Sequence, residues 1–183
     1  MQPKWSVPVS IERVKADENK YSKGGKQIMK IVKQTPNDAL NITVGDAGYS
    51  SLSFIHPLHN EANTVVITRQ RINRSIYKIY TEEQKSKGRK RSYGNKLSCN
   101  GSSDLPIPDE EKTLVKAGKK GNISIKVSLF KNYLIKGKKL HIMSDKPMNF
   151  IKVEVLDAEG NRKYKRDLWL CASGQQKDKI SGS

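Results

Sequence analysis

"NITVGDAGYS" (41–50) is the stretch on which the fold turns. Ile42, Thr43 and Val44 form a short apolar, β-branched run with the composition of a strand. A strand this apolar is expected to be buried. Gly45 stops it, Asp46 follows, and Gly48 gives the next few residues freedom to turn. Two readings of Asp46 stand on the residues alone. As a turn residue or N-cap, its carboxylate takes a nearby backbone N–H. Alternatively, a strand holds it at the C-terminal edge of an open α/β sheet, where such sheets place their chemistry. There it would ligate Mg²⁺, a hard ion that favours carboxylate oxygen. Two such ions can clamp the attacking and leaving oxygens of a phosphodiester, but that requires further acids converging on the same point.

The segments on either side continue an α/β pattern. "WSVPVSIERV" (5–14) alternates and reads as a strand, with Pro8 weakening one ladder position. "KADENKYSKGG" reads as a polar connection, and "KQIMKIVKQ" (26–34) carries Ile28, Met29, Ile31 and Val32 at helical spacing. A short helix or turn is expected through Phe54 and Leu58, and a third strand over "NTVVITRQRI" (63–72). Strand, helix, strand, short helix, strand implies an α/β unit with a partly parallel sheet.

Beyond residue 75 the character changes. "EEQKSKGRKRSYGNK" (82–96) and "NGSSDLPIPDEEKT" read as exposed loops. "NISIKVSLFKNYLI" (122–135) alternates with period two, and "NFIKVEVLDAEGNRKYKRDLWLCAS" reads as a hairpin turning at 157–161. The expected organisation is an α/β (α+β) core over 1–74, a basic β-rich insertion over 75–174 and a disordered tail over 175–183.

Charge separates the two halves. The chain of 183 residues carries a formal net charge of +17. Residues 1–68 hold eight Lys/Arg against six Asp/Glu, whereas residues 69–183 hold 27 against 12. Such asymmetry points to a polyanion, because clustered cations release counterions when they neutralise phosphates. Aromatic content of 7% argues against a single-strand binder built on base stacking. No basic helix with a large apolar face suggests a membrane surface. The expected partner is double-stranded DNA, held through its backbone by Arg69, Arg71, Arg74 and the loop residues Lys85, Lys87, Arg89, Lys90 and Arg91. Tyr77, Tyr80 and Tyr93 could stack on a distorted base, though covering a sheet face is their commoner role. Cys99 and Cys171 lack metal-ligand spacing and read as reduced thiols. No run approaches the ~20 apolar residues of a membrane span. A soluble, cytoplasmic protein is expected.

The order of "WSVPVSIERV", "ITVGDAGYS", "NTVVITRQRINRSIY", "GRKRSYGNK" and "FIKVEVLDAEGNRKYKRDLWLCASG" resembles the DDE transposases of bacterial insertion sequences, over most of residues 5–174. The resemblance is to the group whose ribonuclease-H-like catalytic domain is interrupted by a β-rich insertion. It implies that Asp46 is the second catalytic acid and a Mg²⁺ ligand, followed by a strand bearing Arg69, Arg71 and Arg74. It also implies DNA cleavage and strand transfer and, in a complete transposase, a possible homodimer. The first catalytic Asp and the third acid, a Glu, have no counterpart here. The chain is therefore expected to be the middle of a transposase, an incomplete and inactive copy. The alternative is a non-catalytic, basic β-rich nucleic-acid-binding protein in which Asp46 merely caps a turn.

Overall fold

The structure is a computed structural model. It describes residues 10–36, 39–59, 61, 63–71, 73–83, 86–89, 91, 93–100, 105–118, 121–136 and 147–174. Helix α1 (Lys20–Val32) opens at Asn19, whose side-chain oxygen accepts from the N–H groups of Tyr21 and Ser22 at 3.0 and 3.1 Å. The helix starts earlier than its apolar spacing implies, running through Gly24 and Gly25. A glycine in a helix costs about 1 kcal/mol relative to alanine, and packing explains this one. A Cβ on Gly25 would lie 3.1 Å from the carbonyl oxygen of Phe54 and 3.2 Å from Pro57. The missing side chain lets α1 press onto α2 (Leu52–His59).

Strand β1 (Asn41–Gly45) pairs in parallel with β2 (Thr64–Arg69), and α2 forms the crossover between them. The remaining strands are β3 (Ile76–Lys78), β4 (Lys96–Leu97), β5 (Glu110–Gly118), β6 (Gly121–Ile135), β7 (Met148–Leu156) and β8 (Leu168–Gly174). All belong to one eight-stranded sheet, ordered β1-β2-β8-β7-β6-β3-β4 with β5 also paired to β6. Every pairing except β1 with β2 is antiparallel. The fold is mixed α and β and mostly sheet. Hydrogen bonding crosses the compositional boundary at residue 75, since β2 pairs directly with β8.

The inner face of the sheet carries Val66, Trp169, Cys171, Phe150, Phe130, Met148 and Tyr133, all buried. Phe54, Ile55 and Leu58 of α2 join them in one core, and Tyr21, Ile28 and Met29 of α1 pack at its margin. Each large apolar side chain fully buried here contributes roughly 1.5–3 kcal/mol. A register shift between Phe130 and Tyr133, with Asn132 at φ 61°, marks a bulge in β6. It keeps Phe130 and Tyr133 on the same face, in edge-to-face contact at 6.4 Å.

Several expectations are corrected. Residues 10–14 form no strand and are exposed, while 5–9 of the expected first strand lie outside the described residues. Strand β1 is not buried: Ile42 is 59% exposed and Val44 74%. It is an outer strand, and neither helix covers the face these side chains share with Val65 and Ile67 of β2. Glu110–Thr113, read as loop, begin β5. The alternation over 122–135 does form one long strand, β6, and the hairpin turn does fall at 157–161. The expected tail over 175–183 lies outside the described residues.

Candidate functional site: the Asp46 edge and the basic surface

Because β1 and β2 are parallel and Gly45 pairs with Thr68, both strands end at one edge of the sheet. Asp46 stands at that edge and is exposed. A Cβ on Gly45 would lie 2.9 Å from Cβ of Tyr49, so the tight reversal after β1 requires glycine there. Asp46 Oδ1 accepts the N–H of Gly48 at 2.8 Å, and the Asp46 carbonyl accepts that of Tyr49 at 3.1 Å. Asp46 is thus the N-cap of the short 3₁₀ turn Ala47–Tyr49. The Tyr49 ring packs against Phe54 at 4.9 Å and Tyr21 at 6.0 Å, tying the turn to both helices.

No group of three or more His, Cys, Asp or Glu able to hold a metal occurs among the described residues. One carboxylate oxygen of Asp46 is already engaged in the cap. This donor set does not fit a Mg²⁺ pair, which needs several converging carboxylates.

The expected DNA-contacting residues divide into three situations. Arg69 and Arg71 are exposed at the end of β2, beside the Asp46 edge, and make no ion pair among the described residues. Arg74 turns inward. It is half-buried, and its guanidinium donates to the carbonyl oxygen of Ser50 in the Asp46 turn. Burial, then the nearby charge of Arg71, lowers its pKa from the ordinary value. One nitrogen of its guanidinium is engaged in this internal hydrogen bond. Lys87, Arg89 and Arg91 are exposed in the β3–β4 connection, whereas Lys85 and Lys90 lie outside the described residues. In strand order β8, β7 and β6 separate β2 from β3. At ~4.8 Å per neighbour this puts about 19 Å between strands β2 and β3, from whose ends the two basic groups continue.

The tyrosines mainly pack on protein. Tyr77 and Tyr93 rings lie 5.0 Å apart, Lys136 Nζ sits 6.0 Å from the Tyr77 ring, and Tyr80 donates to the carbonyl of Glu83 at 3.2 Å. Burial, followed by the charge of Tyr77, raises the phenol pKa of Tyr93. Cys99 and Cys171 are buried free thiols, and burial pushes Cys99 up to about 12.

Sequence reasoning missed a charge network at the base of the β7–β8 hairpin. Lys152 Nζ lies 2.9 Å from Glu154 and 3.3 Å from Asp167, and Arg162 lies 2.8 Å and 3.5 Å from the same two acids. The i, i+2 spacing of Lys152 and Glu154 on one strand face was its only sequence signal. No helix among the described residues is long and apolar enough to cross a membrane. Comparison with family models, curated proteins and solved structures finds no match to this chain.

Proposed function

We propose that the chain is the DNA-holding middle portion of a DDE transposase, built on part of a ribonuclease-H-like sheet, and that alone it binds duplex DNA without cutting it. What carries the reading is the edge where β1 and β2 end together. A carboxylate, Asp46, follows one parallel strand, and of two exposed arginines Arg69 ends its neighbour and Arg71 lies just beyond it. Cations beside a strand-end carboxylate suit a site that grips a phosphodiester backbone while other acids complete the metal chemistry. The three carboxylates such chemistry requires are not grouped among the described residues, so cleavage by this chain is not proposed.

A second reading has its own observation. The Asp46 carboxylate is a turn cap, and a cap needs no metal. On that reading the chain is a basic, β-rich nucleic-acid-binding protein with no catalytic ancestry.

Sequencing the DNA around the gene separates the two. Adjacent reading frames encoding an Asp-bearing strand upstream and a Glu-bearing helix downstream support the transposase reading. Flanks that encode neither support the non-catalytic one.

A further inference from the structure

We propose that the adjoining tips of the β5–β6 and β7–β8 hairpins form a second phosphate-gripping surface, reaching past the Asp46 edge along the same DNA duplex. The proposal rests on the DNA-holding reading above and adds a site to it. Its position follows from register. Arg69 pairs with Leu170, and Leu170 pairs with Ile151, so these three residues are level across the sheet. β7 runs in the same direction as β2 and continues to Leu156. At ~3.3 Å per residue, Leu156 lies about 16 Å beyond the end of β2. The ribbon then turns through 157–161 and returns at the Leu156–Arg162 bridge.

The turn is well braced. Asp157 Oδ1 accepts from Glu159 at 3.1 Å and Asn161 at 2.8 Å, and Gly160 takes φ 84°, which suits glycine. Gly121, where β6 begins, stands beside the β7–β8 turn: a Cβ added to it would lie 3.5 Å from Cβ of Ala158. β6 and β7 are hydrogen-bonded as far as Ser124 and Leu156, so the two hairpins project together as one end of the sheet.

Their charge is unspent. The acids at the base of the hairpin, Glu154 and Asp167, are matched by Lys152 and Arg162. That leaves Lys163, Lys165 and Arg166 exposed with no ion pair among the described residues, and Tyr164 between them 59% exposed. On β5, Lys112 and Lys116 are exposed in the same condition, while Glu110 and Glu111 are paired with Lys131 and Lys126. Two acids of the turn, Asp157 and Glu159, stand against these five cations, and Asp157 Oδ1 is engaged by backbone N–H groups. The basic end of this sheet faces solvent, and duplex DNA offers one phosphate charge per ~1.7 Å of axis for such cations to neutralise. Leu114, Val115 and Tyr164 are exposed among these cations, but the tips themselves carry Ala117, Gly118, Gly121, Ala158 and Gly160, none with a bulky apolar side chain to insert into a membrane.

The test uses the full chain and a fluorescent random-sequence duplex, with affinity measured across a salt series. The variant Lys163→Gln, Lys165→Gln, Arg166→Gln is compared with Lys20→Gln, Lys26→Gln, Lys33→Gln, which removes equal charge from exposed positions on and just after α1. The hairpin variant is expected to bind more than tenfold more weakly at about 0.1 M salt, with a slope shallower by up to about three units. The helix variant should change each by much less. Equal losses in both variants would reduce the effect to net charge and overturn the proposal. A parent that binds DNA with an unaffected hairpin variant would overturn it while leaving the DNA-holding reading intact. A parent that binds no DNA, or binds only phosphatidylserine vesicles through these residues, would overturn both.

Discussion

The guanidinium of Arg74 donates to the carbonyl oxygen of Ser50, fastening the segment after β2 to the turn that carries Asp46, 24 residues earlier. The contact joins the two parts of the sequence that most shaped its functional reading. It also divides the arginines that share a motif. Arg74→Gln should destabilise the fold by about 1–3 kcal/mol, as loss of a charged hydrogen bond does, and leave the salt slope of DNA binding unchanged. Arg71→Gln should do the reverse, sparing the melting temperature and flattening the slope by about one unit. Thermal melts and salt titrations of the two variants read both effects, and matching behaviour would contradict the division.

The Asp46 turn makes a separate distinction. Asp46→Asn keeps an oxygen acceptor for the Gly48 N–H and should be nearly neutral in stability. Asp46→Ala removes the cap and should cost about 1 kcal/mol. With Mg²⁺ or Mn²⁺ and supercoiled plasmid, the parent should nick no more than buffer does. Metal-dependent nicking that disappears in Asp46→Asn would show a working site instead.

Acid should weaken the fold through two carboxylates. Burial pushes Glu154 upward, but the hydrogen bond from Lys152 and the charges of Lys152, Arg162 and Lys126 outweigh it and hold the group below its ordinary 4.5. Asp109 is held below 3.8, first by the backbone N–H of Lys131 at 2.6 Å and then by the nearby lysines, against a smaller opposing effect of burial. A carboxylate depressed in the folded state contributes stability that is present above its unfolded pKa and lost as pH falls through the folded one. Melting temperature should therefore fall as pH drops below about 4.5, and Glu154→Gln should make that fall shallower. A melting temperature that rose on acidification would contradict the assignment.

The two faces of the sheet predict opposite responses to mutation. Val66 is buried under α2, and Val66→Ala should cost about 1–3 kcal/mol through lost contact and the space left behind. Ile42 and Val44 lie on the uncovered face, and replacing both with Thr should cost less than about 0.5 kcal/mol. It should also reduce binding of a hydrophobic dye. A large stability loss from the double threonine variant would mean that something covers this face.

How far these features were legible in the sequence follows from how local their causes are. Period two over 122–135 and the Asp157–Asn161 turn depend on neighbouring residues, and both expectations hold in the structure. The early start of α1 was hidden because Gly24 and Gly25 resemble a helix breaker until Phe54 and Pro57 are seen against them. Exposure of Ile42 and Val44 was hidden for a similar reason. Apolar composition says that a strand can be buried, whereas burial depends on what lies over it. β5 escaped because all its residues are exposed and its start, Glu110–Thr113, is polar, with Leu114 and Val115 adjacent rather than alternating, so pairing with β6 is what makes it a strand. At the candidate site, Asp46 could be placed at a strand end from Gly45 alone. That Arg74 turns away from Arg69 and Arg71 depends on a carbonyl 24 residues distant and leaves no local trace.

The most direct test of the central claim is the affinity of the full chain for duplex DNA as a function of salt. Contacts from Arg69, Arg71, Arg89, Arg91 and their lysine neighbours to phosphates predict binding indifferent to sequence. Log affinity should fall linearly with log salt, at about 0.9 per phosphate neutralised. Replacing Arg69, Arg71 and Arg89 together with Gln should flatten that slope by up to about three units on every sequence tried. Binding that ignores salt, or its absence at low salt from a chain shown to be folded, would contradict the claim that this protein holds DNA.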